Sequence, residues 1–347
     1  MRIAVLLDRW RRGHGGLESY LEPVLAELAA RHDVFLVARD AGRTPPHGVI
    51  PAPVRASAWP RPWRDRRDAE RIADAALALR PERVLAVRAI PFPGAIYQAH
   101  GGSAPHLRQA RGACAARGLA GWKARALERL EECTLQHCAR VLAGSPKVAR
   151  ELRARRADVD CAVLPPPLAA PVPAPRTQPE SGAPLFLFCG RDARLKGAAE
   201  AVRWFQELAR RWPRAVLRMW GASPAHLRRA IGAQDLQQVF LHGWDGGFRA
   251  ALAQAACLLH PTRYDAFSLV CLEAVASGVP VITTAEAGIC ELVGMPLLAV
   301  ADSPQAALAA YQLMRERRGE FVPAAQRARA EFCLQGHVRR LMVELER

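Results

Sequence analysis

Two carboxylates stand eight residues apart in the segment CLLHPTRYDAFSLVCLEAVASGVPVITT (257–284), namely Asp265 and Glu273. The apolar run before His260-Pro261 reads as a buried strand, and helical spacing resumes near Ser268 or Leu269. Glu273 then falls about one turn into a helix, with Asp265 on the irregular turn before it. The N–H groups of Phe267, Ser268 and Leu269 become helix-start donors with no intrahelical acceptor. A carboxylate, a row of such donors and a second carboxylate are what is needed to hold a sugar's hydroxyls, a phosphate and a ribose.

Two glycine-bearing turns suggest anion binding. The first strand runs into Gly13-His14-Gly15-Gly16-Leu17-Glu18, where a helix pattern begins. Glycines there let backbone N–H groups approach an anion such as a diphosphate, although a strand-to-helix turn also uses glycine for local reasons. The second turn is Gly190-Arg191-Asp192-Ala193-Arg194-Leu195-Lys196-Gly197. Arg191 and Lys196, at its two ends, can supply the cations that a departing diphosphate needs. No GxxxxGK[ST] pattern is present, and a solvated loop is the alternative reading. The chain has only three lysines, Lys123, Lys147 and Lys196, so one beside a glycine at such a turn is informative. Asp158-Val159-Asp160 spells a DxD but heads a short strand, which favours a structural role, and no metal site is expected.

These segments need a scaffold of alternating strands and helices. Strand-like runs at 3–7, 33–38, 83–87 and 140–144 alternate with helical segments such as 17–31 and 66–80, the pattern of a parallel sheet covered by helices. The stretch 164–184 is too rich in proline for a helix or a central strand. Beyond it the rhythm restarts with strands at 185–190, 215–220, 239–243, 257–261 and 279–284 and helices at 198–211, 224–232 and 269–277. The expectation is an α/β chain with a Rossmann-like domain over 1–165, a linker over 166–184, a second Rossmann-like domain over 185–325 and a helical tail over 326–347 able to pack across both.

A length of 347 residues, half of them hydrophobic, is enough for two cores. No apolar run is long enough to span a bilayer, and no signal peptide is read. Nine cysteines, an odd number without a CxxC pair, indicate reduced thiols and a cytosolic compartment. The net charge of +16 calls for an anionic partner, though an arginine-rich composition accounts for part of it. Residues 1–170 hold 28 of the 49 basic and 17 of the 33 acidic residues, so the excess lies in the first half. There His106, Arg108, Arg111, Arg117, Lys123, Arg125 and Arg129 accompany Leu119, Trp122, Ala126 and Leu130, and the second half of 106–130 reads as a basic amphipathic helix. That helix, helped by Trp59 and Trp63 among arginines that include Arg61, could rest on anionic lipid; an ordinary packed helix is the alternative.

The layout resembles the group-1 (family 4) retaining glycosyltransferases of the GT-B fold, with a nearer likeness to lipopolysaccharide core glucosyltransferases. It is carried by Asp265 and Glu273, by Ala274, Gly278, Pro280, Val281 and Ile282 after them, by Gly15 and Gly16, and by Arg191 and Lys196. The resemblance implies two Rossmann-like domains facing each other across a cleft, and hexose transfer with retention from a nucleoside-diphosphate sugar, a UDP-sugar by preference. Neither a metal nor any other cofactor is implied. The acceptor is a glycolipid or oligosaccharide at the cytoplasmic membrane face. By this resemblance Glu273 binds the ribose and Arg191 and Lys196 neutralise the diphosphate. Asp265, with the backbone of Phe267, Ser268 and Leu269, holds the sugar; Gly15 and Gly16 meet the distal phosphate, and His100 faces the reacting sugar. The family's first acidic residue is usually glutamate, so Asp265 sets its carboxylate about 1.5 Å further back. Ser268 replaces the commoner glycine and has a side chain able to cap the helix. A non-catalytic sugar-nucleotide binder and a sugar-nucleotide epimerase are the alternatives; a nucleic-acid partner finds no recognition motif.

Overall fold

Ile3 to Leu7 are all fully buried, so the first strand needs cover on both faces, which a parallel sheet flanked by helices provides. The computed structural model describes residues 1–12, 15–58, 63–112, 118–175, 183–244 and 247–347. Two compact units emerge, one of Met1–Ala169 with Phe332–Arg347, the other of Ala170–Glu331. Gly13, His14, Trp59, Arg61 and Arg117, which the sequence singled out, lie outside the described residues, as do 176–182 of the proline-rich stretch.

The first unit runs β1 (Arg2–Arg9), α1 (Gly16–Ala29), β2 (Asp33–Arg39), β3 (Ile50–Pro53), α2 (Trp63–Ala78), β4 (Arg83–Ala86), β5 (Ile96–Ala99), α3 (Ala104–Arg111), α4 (Gly118–His137), β6 (Arg140–Ala143), α5 (Pro146–Arg155) and β7 (Cys161–Val163). All pairings are parallel, in the order β3-β2-β1-β4-β5-β6-β7. The prolines of β3 are tolerated because that strand lies at the sheet edge.

The second unit runs β8 (Leu185–Cys189), α6 (Ala198–Arg211), β9 (Val216–Trp220), α7 (Pro224–Ile231), β10 (Val239–His242), α8 (Gly247–Leu252), β11 (Cys257–His260), α9 (Leu269–Ala276), β12 (Val281–Thr283), β13 (Leu298–Val300), α10 (Pro304–Glu316) and α11 (Phe321–Glu331). Its parallel sheet is ordered β10-β9-β8-β11-β12-β13.

The tail, read as helical over 326–347, holds parts of two helices. Phe332 is buried and Cys333 is extended, which ends α11 and starts α12 (Leu334–Glu346). The last helix belongs to the first unit, where Arg140 pairs with Glu344 at 2.8 Å and Arg83 donates to the Leu345 carbonyl. In the second unit Arg329 ties α11 to the carbonyls of Ala276 and Pro173. The eight described cysteines are free thiols, and no described helix is long and apolar enough to cross a membrane.

Both sheets reverse strand order beside their first strand, and in open parallel sheets the loops at such a switch point form the binding crevice. In the second unit those loops follow β8 and β11, and they interlock. Gly197 has φ +78°, and a Cβ there would lie 1.9 Å from the Pro261 carbonyl oxygen. Gly197→Ala is therefore expected to destabilise the second unit by more than about 3 kcal/mol, read by urea unfolding. A midpoint equal to wild type would contradict the close approach.

Candidate functional site

The loop after β8 is shaped by its lysine. A Cβ on Gly190 would stand 2.7 Å from the Cβ of Lys196, so the missing side chain lets the lysine stem cross the backbone. Two backbone-directed bonds fasten this loop to the one after β11. The Arg263 N–H donates to the Leu195 carbonyl at 2.8 Å, and Thr262 Oγ1 donates to the same oxygen at 3.2 Å. From that base Lys196 Nζ reaches the Tyr264 carbonyl at 3.3 Å and Asp265 Oδ2 at 2.6 Å.

Asp265 is held on every side. Its N–H donates to the Glu286 carbonyl at 3.0 Å and its own carbonyl accepts from Gly288 at 2.9 Å. Besides Lys196, Oδ2 has His260 Nε2 at 3.2 Å. A carboxylate only accepts, so the shared proton sits on Nε2, and the buried Nδ1 is the bare nitrogen, without a hydrogen-bond partner. Burial holds the His260 pKa below its ordinary value despite the neighbouring carboxylate. For Asp265 burial acts upward, yet the Lys196 charge and the His260 bond outweigh it and keep the carboxyl well below the usual range.

Ser268 corrects one expectation. Its side chain makes no capping bond; Oγ lies 3.2 Å from His260 Nε2 and donates to Cys271 Sγ. At φ +86° it also occupies the left-handed region that favours glycine, at a cost of roughly 1–2 kcal/mol. Because α9 opens at Leu269, the helix-start donors belong to Ser268, Leu269, Val270 and Cys271, and Phe267 falls before them. One turn on, Glu273 Oε1 receives Arg249 Nη2 at 2.8 Å and Nε at 3.2 Å. Arg249, on the short α8, was not legible as a site residue among so many arginines. Arg191 lies with its guanidinium over the ring of the exposed Trp244, 5.7 Å from its centre, and Trp244 too was missed. Lys196, Asp265 and Ser268 thus form one cluster around His260, whereas Glu273 and Arg191 each have a separate partner. Asp160 pairs with Arg140 and Asp158 with Arg156.

In the first unit Gly15 caps α1 with φ −173°, an extended conformation that any residue adopts, so the backbone there does not demand glycine. His100, after β5, is half-buried and stacks on Tyr20 with ring centres 4.8 Å apart. The basic segment forms α3 and α4. Its four apolar positions do not make one buried face, since Leu130 is buried while Leu119 and Trp122 are exposed. Between α2 and α4 lies a groove of about 660 Å³, lined in part by Ala69, Ala73 and Ala126, by Arg125 and Arg129, and by Trp63 and Trp122, which meet edge to face at 4.9 Å.

Residues 183–316 match the family model described as glycosyl transferases group 1, and residues 15–167 match the glycosyl transferase 4-like domain. Among solved structures, WaaG, a glycosyltransferase involved in lipopolysaccharide biosynthesis, is 17% identical with TM-score 0.73, over 99% of each chain. Sucrose-phosphate synthase from Thermosynechococcus elongatus is 19% identical with TM-score 0.73, over 98% of this chain and 96% of its own. Anabaena Alr3699/HepE, solved with UDP and glucose, is 14% identical with TM-score 0.70, over 100% of this chain and 99% of its own. These likenesses show a GT-B fold built of two Rossmann-like domains. No curated protein matches the chain.

The charges of the second unit set a pH dependence. His260 has a folded pKa below its unfolded one, so protons favour the unfolded chain. Its contribution is full above about pH 6.5 and is lost as pH falls below that value. The depressed Asp265 contributes above about pH 4 and loses its share only as pH falls further, towards its folded pKa. Between pH 7.5 and 5, wild type should therefore lose more stability to urea than His260→Gln; parallel losses would contradict a buried neutral histidine.

Proposed function

Because the chain belongs to the group 1 glycosyltransferases, we propose that it moves a hexose from a nucleoside-diphosphate sugar, a UDP-sugar by preference, to a glycolipid or oligosaccharide acceptor such as lipopolysaccharide core, with retention and without a metal. The observation that carries this reading is the Lys196–Asp265 pair at the switch point, with His260 behind it and Glu273 on the next helix. An ammonium has three N–H donors. One meets Tyr264 and one Asp265, which leaves the third for a phosphate oxygen. As the bond to the sugar breaks, negative charge grows on the diphosphate, and Lys196 with Arg191 stabilises it. A diphosphate oxygen takes the acceptor's proton on the face that the leaving group vacates, so no side-chain nucleophile is needed.

On this reading Glu273 keeps Oε1 on Arg249 and offers Oε2 to the ribose hydroxyls. Asp265 and the backbone of Ser268 and Leu269 hold the sugar, and the first unit supplies Gly15, Gly16 and His100. A non-catalytic binder is the second reading, favoured by an Asp265 carboxylate already engaged by two internal partners. Release of nucleoside diphosphate from a panel of sugar nucleotides, with and without lipopolysaccharide acceptors, tests both: binding with no turnover for any donor selects the binder. Glu273→Ala should raise the donor KM about tenfold or more. Lys196→Ala should lower kcat about 10²- to 10³-fold. Small, equal effects from the two would contradict the roles.

For the acceptor side we propose peripheral attachment to an anionic membrane at its cytoplasmic face. Support comes from exposed Trp63 and Trp122 beside Arg125 and Arg129, aromatic and cationic groups suited to an anionic interface. Binding to phosphatidylglycerol vesicles should weaken on combining Arg125→Gln with Arg129→Gln and with added salt; binding unchanged by both would remove this part of the reading.

A further inference from the structure

A buried chain of polar groups joins the C-terminal helix to the loop that carries His100. His337, on α12, is fully buried, with Nδ1 2.9 Å from the Pro165 carbonyl and Nε2 3.0 Å from the Tyr20 hydroxyl. Tyr20, on α1, is equally buried, and its oxygen accepts from Gln98 Nε2 at 2.5 Å. Its ring stacks on His100 at 4.8 Å with 18° between the planes, and meets His337 edge-on at 5.5 Å.

The partners fix every proton in this chain. A carbonyl only accepts, so His337 carries its hydrogen on Nδ1, and its bare Nε2 must accept from the Tyr20 O–H. With that hydrogen committed, Tyr20 can only accept from the Gln98 amide. The direction runs from Gln98 to Tyr20 to His337 to Pro165 without a conflict. Burial pushes His337 down to about 4, which keeps the ring neutral at ordinary pH, and burial raises Tyr20, which stays a phenol. The Tyr20 ring is therefore pinned at its far end, and that pinned face is the one that His100 stacks against. Gln98 adds a second tie, since its carbonyl accepts from the His100 N–H at 2.7 Å.

We propose that His337 is a positioning residue that sets the orientation of the His100 imidazole through Tyr20, so that the C-terminal helix is part of the reaction apparatus of the first unit. The catalytic consequence rests on reading His100 as the residue that meets the donor sugar; the orientation of the ring does not.

The experiment has two readouts on the full chain. The first is the His100 Cε1–H resonance, assigned by its absence in His100→Ala. His337→Leu and Tyr20→Phe should shift it away from the wild-type ring-current position, whereas His337→Gln, whose amide can donate to Pro165 and accept from Tyr20, should restore it. An unmoved resonance in His337→Leu at full helical content would overturn the proposal whatever the enzyme does. The second is release of UDP from UDP-glucose, corrected for folded protein. His337→Leu and Tyr20→Phe should each lower kcat about tenfold or more with donor KM within about twofold, as expected for a misplaced group rather than lost binding. In a His100→Ala background Tyr20→Phe should have no further effect. An equal further loss there would overturn action through His100, while a His100→Ala variant with wild-type kcat would refute the underlying reading of His100.

Discussion

A lysine and a carboxylate placed 2.6 Å apart in a largely buried setting give up water that their attraction must replace, and such a pair persists only where the remaining lone pairs and protons have partners. The loops of the second unit satisfy that condition around Lys196 and Asp265. Tyr264 takes a second lysine proton, and His260 gives the aspartate a second donor. Gly190 and Gly197 are where they are because the lysine stem and the Pro261 carbonyl leave no room for a Cβ. Ser268 accepts an unfavourable backbone conformation and touches the same histidine. The geometry of the diphosphate-binding region in the proposed reading follows from this one ion pair.

Features that depend on short-range spacing were legible in the sequence. The eight-residue interval from Asp265 to Glu273, the strand ending at Pro261 and the glycine turn around Lys196 each reflect the chain's own local periodicity, and the order of strands and helices followed from it. Strands β3, β5, β7 and β13 escaped it, although β4, β6, β10, β11 and β12 are no longer and were read from their apolar runs; β3 carries two prolines and β5 an internal Gln98, which interrupt such a run. Partnerships between distant positions were not legible either. Arg249 meets Glu273 across 24 residues, and Tyr20 meets His337 across 317, with nothing local to mark them. Ser268 was misread for a related reason: a serine before a helix normally caps it, and only the approach of His260 and Cys271 draws its hydroxyl elsewhere.

The two units solve a similar problem in different ways. In the second, loops at the switch point brace each other directly through carbonyl and side-chain bonds. In the first, His100 relies on an element from the far end of the chain, because α12 returns to α1 and places His337 under Tyr20. A tail read simply as helical therefore hides a division of labour, with α11 fastened into the second unit by Arg329 and α12 into the first.

In the proposed reading Asp265 holds Lys196 ready for a diphosphate, and calorimetry reads this by comparing the affinity of a nucleoside diphosphate with that of its nucleoside. In the wild-type protein the diphosphate should bind more tightly, and Lys196→Met should reduce that advantage by about 10- to 100-fold, the loss of one charge-assisted hydrogen bond. An advantage of the same size in both proteins would mean that Lys196 does not meet the diphosphate.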